Sequence, residues 1–258
     1  KRFLIKKTKS FITNSLHMII LGSTSEVAQA FVEKALTAGE KFPKIYLVTS
    51  SRETTERFAQ HIDVKFLQPS EIIELDLTQE INYSVFENID SDLLFCATGY
   101  LGLGTEDGLY DDKNTEKIID INYAKLVPVI NYFAKKMESK RSGNIIALSS
   151  VAGDRGRQSN FIYGSAKAAF TAYLSGLRNY LFSKKVHVMT VKPGFMETKM
   201  TEGLPLNPKL TATPKQAAEC IYKAYKKQKN VVYVLPIWRL IMLIIIHIPE
   251  FIFKKLKL

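Results

Sequence analysis

The chain has 258 residues, 46% of them hydrophobic and 24% charged, enough for one well-buried domain and too few for two large ones. Its formal charge of +11 gathers at Lys1, Arg2, Lys6, Lys7 and Lys9 and again at Lys254, Lys255 and Lys257, interleaved with apolar residues. That mixture suits an anionic membrane surface, or solvated tails, better than nucleic acid, which asks for a basic groove with polar readers. Cys96 and Cys220 have no CxxC spacing and the four histidines no ligand spacing, so neither a metal site nor a disulfide framework is expected. A reducing cytoplasmic setting fits, with the inner face of the cell membrane as the alternative. The start of the chain, broken by Lys6, Lys7 and Lys9, does not read as a signal peptide.

Short apolar runs then alternate with helix-length amphipathic segments, without internal repeats. His17–Leu21 predicts a strand that runs through Gly22, Ser23, Thr24 and Ser25 into a helix over Glu26–Ala38. Gly22 suits the tight turn, and the three hydroxyl residues offer O–H and backbone N–H groups to a pyrophosphate at the helix start. The whole stretch from Gly22 to Val27 is assigned to a dinucleotide. Glu26 and Ala28 stand where the glycine fingerprint has its second and third glycines; Ala28 still packs closely, whereas Glu26 sets a side chain against the phosphate approach.

Lys44–Thr49 predicts the second strand, followed by a helix over Arg52–His61. An NAD enzyme carries an acidic residue here for the ribose 2′-hydroxyl; Ser51 and Arg52 suit a 2′-phosphate instead, favouring NADP(H) over NAD(H). The alternative for Arg52 is an ordinary helix-start arginine. After the strand Ile72–Leu75, Asp76 and Leu77 either flank the adenine or, for Asp76, cap the next turn. Leu93–Ala97 predicts a fourth strand ending near Gly99, and a helix over Thr115–Ser139 contains Asn122.

The fifth strand, Asn144–Ser149, opens the segment SSVAGDRGRQSNFIYGSAK. Ser150 precedes Tyr163 by thirteen residues and Lys167 follows it by four. Residues four apart share a face of the helix predicted over Phe161–Lys184, so an ammonium can sit beside the phenol. A phenol titrates near ~10 until a cation favours the phenolate. With the Ser150 hydroxyl holding a carbonyl or alcohol, these groups can move a proton on and off a C–O bond, which points to redox chemistry at carbon. Arg155 and Arg157, between them, either meet a substrate phosphate or are simply solvated.

Val186–Val191 predicts a strand leading to Pro193, Gly194 and Thr198, and Thr198–Thr213, with two prolines and no periodicity, reads as a mobile lid. A helix over Pro214–Lys227 and a strand over Val231–Leu235 complete an α/β, Rossmann-type doubly wound parallel sheet of seven strands with helices on both faces. That domain covers residues 16–235, between a basic extension at 1–15 and an apolar, basic tail at 236–258. Val231–Phe253 is about long enough to span a bilayer, but Pro236, Arg239, His247, Pro249 and Glu250 interrupt it. The apolar run Leu240–Ile246 must be buried in a membrane boundary, an oligomer contact or over the substrate cleft; monotopic membrane contact is favoured.

Taken together, Gly22 with its loop, Asp76, Ala97–Gly99, Asn122, Ser150, Tyr163, Lys167, Pro193–Gly194 and Thr198 resemble the short-chain dehydrogenase/reductase family, from about Leu16 to Leu235. The resemblance implies NAD(P)H-dependent ketone reduction, or the reverse alcohol oxidation, by a homodimer or homotetramer. It implies that Tyr163 is the general acid/base, that Ser150 orients the substrate oxygen, and that Lys167 lowers the tyrosine pKa and holds the nicotinamide ribose. Asn122 would hold a water in the proton relay, Pro193–Gly194 would pass beside the nicotinamide, and Thr198 would touch the cofactor. The stretch Cys96-Ala97-Thr98-Gly99 departs from the family's Asn-Asn-Ala-Gly. The TSE-type loop, the SSVAG and SNF-YGS stretches and the HIPEFIFKKLKL ending are similar, more narrowly, to the reductases of decaprenylphosphoryl keto-pentose. That likeness implies a polyprenyl-phosphate-linked keto-sugar whose lipid stays in the membrane. Reduction of fatty-acyl, steroid or other lipid carbonyls, and NAD(P) binding without catalysis, are the alternatives.

Overall fold

The computed structural model describes residues 17–104 and 108–257, so the basic extension at 1–15 lies outside the described residues. Its strands are β1 (Met18–Leu21), β2 (Ile45–Thr49), β3 (Ser70–Glu74), β4 (Leu93–Cys96), β5 (Gly143–Leu148), β6 (Val186–Lys192), the two-residue β7 (Phe195–Met196) and β8 (Thr211–Ala212), and β9 (Val231–Tyr233). The helices are α1 (Glu26–Thr37), α2 (Arg52–Phe66), α3 (Asp112–Ile119), α4 (Leu126–Lys140), α5 (Phe161–Phe182), α6 (Pro214–Lys226), α7 (Pro236–His247) and α8 (Glu250–Phe253). Seven strands form one parallel sheet in the order β3-β2-β1-β4-β5-β6-β9, while β7 and β8 pair separately.

Both faces of the sheet are covered, which is why its central strands read as continuous apolar runs instead of alternating ones. In β1, Met18 and Ile20 point into a cluster with Phe31 of α1, Phe58 of α2 and Ile221 of α6. Ile19 and Leu21 point the other way, onto Phe133 of α4 and Phe170 of α5. The strand order reverses between β1 and β4, and in such sheets the crevice at the carboxyl ends beside that reversal takes the ligand.

Three sequence-based expectations change. The helix expected over Thr115–Ser139 is interrupted at Asp120–Ala124 by a π turn, marked by the Lys125 N–H donating to Asp120 O at 3.0 Å. Such a turn is costly in a helix interior and recurs at functional positions; here it carries Asn122. The loop expected to be an open lid is tied down by the β7–β8 pair and by short turns at Lys199–Thr201 and Pro208–Leu210. The tail is not a free appendage: Trp238 and Met242 of α7 pack with Val151 in a third small cluster. Among the described residues no helix is long and apolar enough to cross a membrane.

Candidate active site

The carboxyl ends of β1, β4, β5 and β6 open onto one cleft of about 830 Å³. At its β1 end, Gly22 has φ +82°, and the Gly22 and Ser23 N–H groups both donate to Val48 O at 3.0 Å. A Cβ on Gly22 would come within 2.9 Å of the Thr98 backbone nitrogen, so the turn passes the β4 loop only as glycine. Ser25 caps α1, its Oγ accepting from the Ala28 N–H at 3.4 Å, and Thr24, Glu26 and Val27 line the cleft beside it. Ser23 does not join them: it is fully buried and its hydroxyl bonds Thr55 Oγ1 at 3.1 Å. The Glu26 carboxylate accepts the Lys199 N–H at 2.9 Å and so joins the cofactor loop to the lid.

At the other end of this half, Ser51 and Thr54 line the cleft while Arg52 does not. The Arg52 guanidinium pairs with Glu56 and Glu74, each at 3.2 Å, at the exposed start of α2. Asp76 lines the cleft, yet its Oδ1 accepts from both the N–H and the hydroxyl of Thr78 at 2.8 Å, the turn-capping alternative. Leu77, Ala97 and Gly99 form apolar wall, and Pro193, Gly194 and Thr198 close the far side.

The three residues of the serine-tyrosine-lysine pattern meet at the floor of the cleft. Ser150 follows β5, its hydroxyl accepts the Ala152 N–H at 3.1 Å, and it lies near enough to the Tyr163 phenol to lower its pKa. Lys167 is buried, with Nζ donating to Leu148 O at 3.2 Å and lying 5.7 Å from the Tyr163 ring centroid. Two glycines that sequence reasoning passed over make this possible. A Cβ on Gly153 would lie 2.7 Å from the Ala168 nitrogen, and one on Gly164 would lie 2.9 Å from Ala152 O, so loop and helix touch backbone to backbone. Their presence in VAG and YGS, on either side of the loop, was the available signal. Ser149 locks the joint, its hydroxyl bonding Lys167 O at 3.0 Å and Thr171 Oγ1 at 2.6 Å.

Burial dominates the electrostatics of this triad. Burial pushes the Tyr163 phenol up to about 12, with the Ser150 hydrogen bond pulling the other way, and Lys167 is not among the causes. Burial brings the Lys167 ammonium down to about 8. The lysine, not the tyrosine, is therefore the group that titrates near neutrality.

Asn122 is fully buried close by, and its side chain is spent on structure. Its amide donates to Tyr100 O at 2.7 Å and Ile118 O at 2.8 Å, and its Oδ1 accepts the Tyr100 N–H at 3.2 Å. Those bonds position the loop after β4 and use both amide hydrogens, while Oδ1 keeps a second lone pair.

Two arginines of the β5–α5 loop have opposite fates. Arg155 donates to the carbonyls of Ile245, Ile246 and Ile248, pairs with Glu250 at 2.8 Å, and lies 3.8 Å from the Phe253 ring centroid. It satisfies the orphan carbonyls at the end of α7 and welds the tail to the catalytic loop. Trp238 completes the joint: a Cβ on Gly194 would fall 2.0 Å from its ring, and its Nε1–H donates to Leu210 O at 2.9 Å. Arg157 instead lines the cleft.

A doubly wound sheet with a glycine turn at the first strand and a serine-tyrosine-lysine floor defines the class of site. The comparisons name the family: a model of the short chain dehydrogenase family matches residues 16–209, and the chain belongs to that family. An uncharacterized oxidoreductase of Mycobacterium tuberculosis is 31% identical over 146 residues, 57% of this chain and 58% of the relative, so the match spans little more than half the relative's length. One from Streptomyces coelicolor is 27% identical over 247 residues, 93% of this chain and 95% of its own. A short-chain dehydrogenase from Sphingobium yanoikuyae, solved in complex with NADPH, superposes with a TM-score of 0.75 at 18% identity, covering 84% of this chain and 87% of that one, a likeness of fold.

Proposed function

We propose that this chain is an NADP(H)-dependent reductase of a ketone, and that its substrate is a lipid-linked keto-sugar. The observation that carries the reading is the meeting of Ser150, Tyr163 and Lys167 at the floor of the cleft, opposite the Gly22 turn. The Gly22 turn, the α1 N-terminus and Gly99 fit a dinucleotide, since they line one cleft, Gly22 passes Thr98 with no room for a Cβ, and a helix N-terminus favours a pyrophosphate. Bound NADPH would supply hydride to the carbonyl carbon. Tyr163 gives its proton to the carbonyl oxygen, Ser150 bonds the same oxygen, and the Lys167 ammonium favours the phenolate left behind. Ketone, hydride and proton balance to a secondary alcohol.

NADP(H) over NAD(H) is supported by Ser51 and Thr54 in the cleft wall, with no acidic residue at the end of β2 to repel a 2′-phosphate, and by the NADPH bound to the Sphingobium neighbour. Hydrogen bonds to a charged group contribute about 1.5–3 kcal/mol, tenfold or more in affinity. Fluorescence titration should give NADPH a Kd at least about tenfold below that of NADH, followed by turnover of NADPH with ketones. Failure to bind either nucleotide would end the reading.

The lipid part of the substrate is supported by the outer face of the tail. Trp238 and Met242 of α7 face inward, while Leu240, Leu243 and Ile244 are 55%, 54% and 59% exposed, with Phe251 and Ile252 of α8 beside them. Arg239, Lys254, Lys255 and Lys257 flank this apolar face. A chain of net charge +11 repels its own copies and is drawn to anionic headgroups, at about 1 kcal/mol per basic residue near the surface. The full chain should co-sediment with phosphatidylglycerol vesicles and not with pure phosphatidylcholine, and L240E/I244E should release it. Equal sedimentation of the variant would remove the membrane from this account.

A further inference from the structure

The cleft holds a half-buried cation that the proton-transfer machinery does not use. Arg157 lines it, just before the short turn Gln158–Asn160 that leads into Tyr163. Its Nε is buried without a hydrogen-bond partner among the described residues. Asn160, also in the wall, has a buried Oδ1 in the same condition.

The nearest anion does not neutralise the arginine. Asp154 gives one carboxylate oxygen to Lys192 in a close ion pair, and the other accepts the Tyr233 hydroxyl at 2.9 Å. Both oxygens are taken by groups outside the cleft wall. Arg157 lacks that kind of partner, and burial pushes its guanidinium below the usual value. A desolvated guanidinium without a hydrogen-bonded anion is unfavourable, and its planar fork matches an oxyanion. Arg155, two residues earlier, provides the contrast, since its donors are consumed by the tail.

We infer that Arg157 and Asn160 form a substrate subsite for an oxyanion bearing a neighbouring hydroxyl, with Arg157 taking the anion and Asn160 Oδ1 accepting the hydroxyl. This rests on the reductase reading above and names the substrate's charge: the ketone carries a phosphate or carboxylate group near its reacting end. Ser51 and Thr54, assigned above to the cofactor, enter the cleft from the end of β2 and the start of α2 instead.

The test is a binding measurement on the full chain saturated with NADP+, so that the pyrophosphate site is filled. Geranyl phosphate, geranic acid and geraniol are titrated by calorimetry. Wild type should prefer one or both anions to geraniol by about 10–100-fold, the worth of a hydrogen bond to charge, and the ranking of phosphate against carboxylate identifies the oxyanion. Arg157→Gln should remove that preference, and Arg157→Lys should keep part of it. Because the buried Arg157 Nε has no hydrogen-bond partner among the described residues, Arg157→Gln should melt no lower than wild type; a lower Tm would make Arg157 a structural residue and overturn the inference. Equal affinities for anion and alcohol in wild type would overturn it too. Failure to bind NADP+ at all would strike the reductase reading instead, so the two failures are distinguishable.

Discussion

Replacing Tyr163 with phenylalanine is expected to leave NADPH affinity nearly unchanged and to reduce ketone turnover by about 10²–10⁴-fold, the range supplied by a positioned proton donor. The substitution removes one oxygen from a site where the ring is buried and the backbone is held by Gly164 and the Ser149–Lys167 bond, so the fold should be undisturbed. The loss should fall on kcat, because the proton is needed as charge develops on the substrate oxygen. With the phenol pushed up to about 12, Tyr163 stays protonated as a donor through the neutral range. Stopped-flow turnover beside a fluorescence titration of NADPH separates the two effects. Retained turnover in Tyr163→Phe would contradict the assignment of the proton donor.

The second large effect concerns Lys167, where activity and stability should move in opposite directions. Its folded pKa of about 8 lies below the usual 10.5, so the buried ammonium destabilises the fold at every pH below about 8. That penalty disappears as pH rises from about 8 to 10.5, where only the unfolded chain still binds the proton. Lys167→Met should therefore raise stability at pH 7 by on the order of 1–3 kcal/mol, with the gain over wild type vanishing toward pH 10.5. The same variant should lose most turnover, since no cation then faces the developing phenolate. In wild type, ketone reduction should fall as pH passes through about 8 and Lys167 discharges; in Lys167→Met that inflection should be gone. Thermal denaturation across pH 6–10.5 and a kcat profile over the same range decide it, and an unchanged inflection would move the titrating group elsewhere.

Much of this site was legible in the chain because its chemistry is local. Ser150, Tyr163 and Lys167 lie within eighteen residues, and a helical spacing of four is enough to set amine against phenol. The strand–glycine–helix passage at Gly22 could likewise be read, since a positive φ at that turn admits little else. The failures share a cause: each depends on a partner distant in sequence. Glu26 looked obstructive until Lys199, 173 residues away, claimed its carboxylate. Arg52 gave no sign of its ion pair with Glu74 of β3. Asn122 is held by the loop after β4, and the π turn that carries it leaves no trace in the apolar period.

The arginines show the division plainly. Arg155 and Arg157 are near neighbours in one polar loop and equivalent by composition; tertiary contacts alone send the first to the carbonyls of α7 and the second to the cleft. By itself the sequence determined the parallel α/β architecture and the position of the proton-transfer groups, because hydrophobic period and helical spacing are properties of neighbouring residues. Tertiary structure decided which polar side chains were consumed and which were left facing a ligand. It also decided that the tail is bound to the loop before Tyr163, through Arg155, because hydrogen bonds are exclusive and the competitors for each one come from remote segments.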